Sequence, residues 1–241
     1  MSGHSKWNNI KHKKEKADAA KAKIFTKIGK EMAVAIKAGG PDPNNNSRLR
    51  DLISKAKANN VPNDNIQRTI KKFSESNDIN YEEIVYEGYG PSGVAIIVET
   101  STDNRNRTAG NVRAAFSKYG GNLGQNGCVS YLFEEKGVIT IVDEDDEISE
   151  DKIMEDALEC GAEDIKNDEG EYSIYTDPAD LDSVRDAIIA LGYKIETADL
   201  AKVPSTYVEL ASEEDVENME KMLDKFNEDD DVNAVSHNWD N

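Results

Sequence analysis

Histidine and cysteine are nearly absent, with three of the first and two of the second in 241 residues. His4, His12 and His237 have no spaced partners, which removes the usual signatures of a metal cluster and of a nucleophile–base pair. Cys128 and Cys160 stand far apart and neither belongs to a CxxC. A disulfide framework or zinc site therefore has little support, and both thiols are expected to be buried or idle. Long apolar runs are missing too. Nothing approaches the roughly 18 consecutive apolar residues that a membrane helix needs, and no apolar core follows the Lys-rich start as it would in a signal peptide. The expectations are a cytoplasmic chain with no membrane partner, no cofactor or metal, no small-molecule substrate and no enzymatic activity.

Charge is plentiful, and it is partitioned. The 29 Lys and Arg divide into 17 within residues 1–79 and 12 beyond, while the 48 Asp and Glu divide into 8 and 40. The head is thus +9 and the remainder −28, a split that the whole-chain value of −19 conceals. A basic head on an acidic body is arranged to set one end on a polyanion while the rest stays off it. Nucleic acid is the first candidate partner.

The head reads as helices. From Ala17 to Ala38, Ile24, Phe25, Ile28, Met32, Ala35 and Ile36 recur at helical spacing, and Gly39-Gly40-Pro41 stops the run. Lys16, Lys23, Lys27, Lys30 and Lys37 fall opposite that stripe as a ridge. Ser47 offers a cap for a second helix carrying Leu49, Leu52, Ile53 and Ala56, and Pro62-Asn63-Asp64 opens a third with Ile66, Ile70 and Phe73. Residues 1–16 hold only Trp7 and Ile10 as large apolar groups among five lysines, too little to bury, so this arm is expected to be mobile until bound. Among residues 1–30, nine lysines face only Glu15 and Asp18. Self-repulsion on that scale points to a polyanion.

After a polar linker near 74–80 the period changes. Strands are expected at 82–87, 94–98 and 129–133, with a helix over 105–119 that turns Ala109, Val112, Phe116 and Tyr119 inward. Residues 138–142 (strand), 150–160 (helix), a strand near Ile165, 172–175 (strand), 179–191 (helix) and 193–199 (strand) give the ferredoxin-like order βαββαβ. The last piece is a strand at 207–210, a helix with Val216, Met219, Leu223 and Phe226 inward, and a strand at 232–235. It is too small to fold alone and can complete a second ferredoxin-like sheet. The expected class is α+β: a three-helix domain (1–79), a split ferredoxin-like domain (80–136 plus 204–241) and an inserted acidic ferredoxin-like domain (137–203).

Several motifs reduce to ordinary structure. Gly88-Tyr89-Gly90-Pro91-Ser92-Gly93 matches GxGxxG, but a strand follows where the dinucleotide fingerprint requires a helix, so it reads as a turn. The acidic run 143–147 lacks the Gly and Glu of a calcium loop and reads as solvated. In the loop 101–108, Thr102 or Asp103 is the expected cap. Arg105 and Arg107 stand at the helix start, where the dipole does not favour cations. They either grip phosphate by bidentate bonds or pair with acids of the body. The glycines of 120–127 either turn the chain or present it to a partner.

The segments Gly3-His4-Ser5-Lys6-Trp7, Ile10-Lys11-His12-Lys13, Lys23-Ile24-Phe25-Thr26-Lys27, 59–65, Tyr86-Glu87-Gly88-Tyr89-Gly90-Pro91 and 102–108 resemble the YebC-type family over essentially the whole chain. Phe73-Ser74-Glu75 departs from it, standing in place of a Gly-containing linker. The resemblance implies a helical N-terminal domain followed by two α/β domains. It also implies a regulator of gene expression, either a DNA-binding transcriptional regulator or a ribosome-associated factor that contacts ribosomal RNA and relieves stalling at stretches such as consecutive prolines. The candidate contact residues are Lys6, Trp7, Lys11, Lys13, Lys14, Lys16, Lys23, Lys27, Lys30, Arg48, Arg50, Arg105 and Arg107. Promoter DNA and ribosomal RNA both remain possible targets, with the ribosome a further candidate partner. A lysine face positions on phosphate and specifies little, which suits structured RNA.

Overall fold

The computed structural model describes residues 22–75, 80–143, 148–168 and 170–240. The arm at 1–16, part of the 74–80 linker and most of the acidic run at 143–147 lie outside the described residues. The helices are α1 (22–39), α2 (Ser47–Ala58), α3 (Asn63–Glu75), α4 (Arg105–Lys118), α5 (Glu150–Glu159), α6 (Leu181–Ala190) and α7 (Glu213–Glu228). The strands are β1 (Glu82–Tyr89), β2 (Ala95–Thr102), β3 (Asn122–Leu123), β4 (Phe133–Val142), β5 (Asp164–Asp168), β6 (Glu171–Thr176), β7 (Thr197–Pro204), β8 (Val208–Glu209), β9 (Val232–His237) and β10 (Trp239–Asp240). They form four-stranded sheets ordered β3-β1-β2-β9 and β5-β6-β4-β7, and a parallel pair of β8 with β10. The fold is α+β. Because β9 returns to lie beside β2, everything from β4 to β7 is a chain insertion between two parts of the first sheet.

By compactness the described chain forms two units. One comprises the residues up to Tyr86, Val98–Leu123 and Glu217–Val235; the other comprises Glu87–Ile97, Gly124–Val216 and Ser236–Asn241.

In the first unit, Ile28, Met32, Ala35 and Ile36 of α1 close on Leu49, Leu52 and Ala56 of α2 and Ile66 of α3. Each of the Ile, Leu and Met side chains contributes about 1.5–3 kcal/mol on full burial, so this core supplies the stability that short helices lack in isolation. Asn46, not Ser47, caps α2. Its Oδ1 accepts from Leu49 N at 3.0 Å while its Nδ2 donates to the carbonyls of Ala35 and Gly40. One buried amide thus stops α1 and starts α2, a task a serine hydroxyl is too short to share. On the sheet of this unit, Phe116 of α4 meets Phe226 of α7 with ring centroids 5.3 Å apart. The inward set of α7 is Met219, Met222 and Phe226. Leu223, expected inward, is only half-buried.

In the second unit, β4-α5-β5-β6-α6-β7 is the ferredoxin-like arrangement, with β4 and β6 central and every pairing antiparallel. Its core is Ile139, Ile141, Ile153, Ala157, Tyr172, Ile174, Val184 and Ile188. β7 starts four residues later than expected and runs to Pro204, because β4 begins at Phe133 and pairs along its length. Residues 193–196 serve the core instead: Tyr193 donates to Asp156 Oδ2 at 2.6 Å, and Ile195 packs inward. The strand expected at 129–133 is a single 3-10 turn, Ser130–Leu132. The GxGxxG match is the hairpin between β1 and β2, where Ser92 and Gly93 both take positive φ.

Gly137 sits where β4 passes β6 and α6. A Cβ there would lie 2.2 Å from Thr176 Oγ1 and 2.9 Å from Leu181 Cβ. Gly137→Ala is expected to destabilise the chain by about 1–3 kcal/mol through overpacking, measured as a shift in the urea midpoint at unchanged m-value.

Candidate nucleic-acid interface

The chain emerging from α7 passes through Glu228, Asp229, Asp230 and Asp231 before β9 begins. Asp231 is buried, its side chain 5% exposed. A buried carboxylate must be paired and hydrogen-bonded, and here α1, β2 and α4 all supply partners. Lys30 Nζ reaches Oδ1 at 2.8 Å. Arg107 reaches Oδ2 through Nε at 3.1 Å and a terminal nitrogen at 2.6 Å. The hydroxyls of Thr102 and Thr108 lie 3.2 and 2.9 Å from the same oxygen. Burial would push this carboxyl up, but the hydrogen bonds from Lys30, Arg107 and Thr108 outweigh it and bring it down to about 2.

The same four-residue stretch receives the rest of the α1 ridge. Lys23 donates to the Glu228 carbonyl at 3.3 Å and Lys30 also to the Asp230 carbonyl at 2.7 Å. Both carbonyls end or follow α7, where its dipole favours a cation. Burial, and then Lys23, lower the Lys27 ammonium, while Asp230, Asp229 and Glu31 oppose that shift. The acids missing near these lysines in sequence therefore arrive from about 200 positions downstream. The ridge inferred to lie open to a polyanion is, at Lys23, Lys27 and Lys30, half-buried and answered within the chain.

Arg107 likewise pairs internally, with Asp103 at 2.8 Å as well as with Asp231. The cap of α4 is neither Thr102 nor Asp103. Thr102 ends β2 with its hydroxyl committed to Asp231 and to Asn104 N, and Asn104 Oδ1 accepts from Arg107 N at 3.1 Å. Arg105 is exposed and has no ion-pair partner among the described residues. Arg48 pairs with Glu83 at the surface, an interaction worth about 0–1 kcal/mol. Arg50 is exposed and unpaired among the described residues. Lys6, Trp7, Lys11, Lys13, Lys14 and Lys16 lie outside the described residues.

A basic face the sequence reading passed over lies on α3. Ile66, Ile70 and Phe73 face the helical core. Arg68, Lys71 and Lys72 at i, i+3 and i+4 therefore share the opposite, exposed side. On α2, Arg50 and Lys57, seven residues apart, also share an exposed face. The signal was present as cations complementary to an apolar stripe, and was overlooked because α1 carried more of them.

Comparison with known proteins agrees with this architecture. The model of the TACO1/YebC N-terminal domain matches residues 5–76, and that of the TACO1/YebC second and third domain matches residues 81–239. The chain belongs to this family. Relatives named "probable transcriptional regulatory protein" include one from Lachnoclostridium phytofermentans, 54% identical with all of both chains covered, and one from Agathobacter rectalis, 55% identical with 99% of each covered. A crystal structure of a conserved hypothetical protein from Aquifex aeolicus is 44% identical and superposes with a TM-score of 0.82, covering 92% of this chain and 91% of that one. Among the described residues of this family member, no helix is long and apolar enough to cross a membrane.

With its folded-state value depressed to about 2 against an ordinary 3.8, Asp231 contributes stability that is present above about pH 4 and lost as pH falls toward 2, of the order of 2–3 kcal/mol. Denaturant midpoints measured from pH 6 to 2 are expected to fall through this window. Asp231→Ala, which takes the carboxylate from half-buried Lys30 and leaves it only the Asp230 carbonyl, is expected to cost about 3–5 kcal/mol at neutral pH and to flatten that part of the profile.

Proposed function

We propose that the chain is a non-enzymatic, cytoplasmic regulator of gene expression that holds nucleic acid chiefly by its phosphates. The observation that carries the reading is a group of exposed cations with no carboxylate partner among the described residues, concentrated on two neighbouring helices: Arg50 and Lys57 on α2 and Arg68 and Lys71 on α3, with Arg105 at the start of α4. They stand in a chain with a surplus of 19 negative charges, where acids to pair them are abundant. Lys72 and the N-terminal residues Lys6, Trp7, Lys11, Lys13, Lys14 and Lys16 extend the set. In this reading Lys30 and Arg107 hold the fold, and the free cations hold phosphate.

The relatives' name favours transcription, and with it promoter DNA. The chemistry of the faces favours structured RNA, including ribosomal RNA and a role in translation. A surface made mainly of arginines and lysines contacts phosphate oxygens whatever the sequence, and such contacts set register and orientation.

Anisotropy titrations against a DNA duplex and a structured RNA over graded salt test both. Reversing Arg68, Lys71 and Lys72 to Glu is expected to weaken binding and to lower the log–log salt slope by about 2–3, near 0.9 per lost phosphate contact on duplex DNA. A variant that keeps the parent slope would remove these helices from the interface. Lys30→Gln is expected to lower stability while leaving the slope unchanged.

A further inference from the structure

Glu87 near the end of β1 is a buried carboxylate without a cationic partner among the described residues. Its Oε1 accepts from Gly127 N at 2.8 Å and its Oε2 from Val129 N and Ser130 N, each at 2.9 Å. The Glu87 carbonyl takes Gly124 N at 2.8 Å, and Cys128 N returns to the Gln125 carbonyl at 3.1 Å. A Cβ on Gly124 would lie 2.5 Å from Cys128 Sγ, so the chain is drawn against β1 as closely as glycine permits. Tyr89 donates to the Cys128 carbonyl at 2.9 Å. The segment 124–130 is thus pinned by its backbone, with one side chain serving three amides.

What this framework displays is not needed to hold it. Gln125 and Asn126 are exposed, Tyr131 is 72% exposed and Tyr89 37%. A large aromatic left in water on a rigid loop, next to two free amides, has the composition of a recognition surface. Its electrostatic setting is unusual for this chain. No Asp or Glu occurs between Asn104 and Phe133, or between Gly88 and Val98, although 48 of 241 residues are acidic. The charge of Glu87 is spent on three backbone amides. The loop itself therefore contributes no exposed carboxylate, and the acid that the fold brings to the adjoining hairpin, Asp215, accepts from Ser92 Oγ at 2.7 Å.

We propose that the loop Gly124–Tyr131, with Tyr89, is a docking site for unpaired bases of RNA: Tyr131 supplies a face for stacking, and Gln125 and Asn126 supply amides for base edges. Tyrosine stacking and amide hydrogen bonds suit bases splayed from single-stranded loops, a chemistry distinct from the phosphate grip of α2 and α3. The proposal rests on the reading of the chain as a nucleic-acid binder and names the part of the ligand this second surface takes.

The test uses the full chain and a mixed-sequence single-stranded RNA of roughly 12 nucleotides, within the span such sites accommodate. The same RNA annealed to its complement and the DNA strand of the same sequence are measured beside it. Tyr131→Ala is expected to weaken single-stranded RNA binding by roughly 5- to 150-fold, the range for loss of one stacked base, with the salt slope and the duplex affinity unchanged. Tyr131→Phe keeps the stacking face and is expected to bind within about twofold of the parent. Gln125→Ala with Asn126→Ala is expected to reduce discrimination among bases. Equal affinity of Tyr131→Ala and parent for the single strand overturns the proposal and leaves the phosphate reading standing, as does an equal loss on single strand and duplex. A loss confined to the DNA strand, or to a protein partner, overturns the assignment to RNA. A parent that binds no strand at all overturns both.

Discussion

A carboxylate at 5% exposure is tolerable only while cations and hydroxyls surround it, and the first unit is organised to keep them around Asp231. Lys30 comes from the first helix, Thr102 from the end of a strand, and Arg107 and Thr108 from the helix that follows. The Asp231 carbonyl also accepts from Ser101 N at 2.8 Å, so backbone and side chain fasten the same crossing. Removing the cations, Lys30 and Arg107, would leave the carboxylate buried with only hydroxyls to answer it. That penalty, of several kcal/mol, exceeds what any surface ion pair here returns. The positions of α1 and α4 follow from this requirement as much as from apolar burial.

This arrangement changes what the charge partition means. A +9 head and a −28 remainder could describe two bodies with separate tasks. Instead, part of the head's charge is spent on the remainder: Lys23, Lys27 and Lys30 face residues 228–231, and Arg48 faces Glu83. Electrostatics thereby sorts the basic residues by role. Cations whose heads are drawn into the fold act as fasteners, while Arg50, Lys57, Arg68, Lys71 and Lys72 stay exposed with no carboxylate partner among the described residues. Glu87 follows the same logic with opposite sign, since a buried anion answered by backbone amides shapes a loop and leaves no exposed negative charge at it.

Much of the fold was legible from period alone. The alternation in 138–142 and 172–175 and the helical spacing of Leu181, Val184 and Ile188 were enough to recover a ferredoxin-like order, because each of these elements buries one face only. Boundaries were less legible where a side chain overrides propensity. Asn46 rather than Ser47 caps α2 because only the longer amide also reaches the carbonyls of Ala35 in α1 and of Gly40 just past its end. Asn104 rather than Thr102 or Asp103 caps α4 because Thr102 is drawn to Asp231. The apolar stretch at 129–133 is no strand because Glu87 takes the amides of Val129 and Ser130.

By itself the sequence determined the elements, the apolar faces that close the cores, the membership in the TACO1/YebC family and the surplus of positive charge at one end, since all of these depend on neighbours within a few turns or on composition. The tertiary structure decided which charges are free. Lys30 and Asp231 are separated by 201 positions, and nothing local to either shows that they meet. Whether a lysine fastens the fold or stays open to solvent depends on which carboxylate the folded chain brings within about 3 Å of it, since Coulomb attraction at that distance in a partly dry setting far exceeds that across solvent.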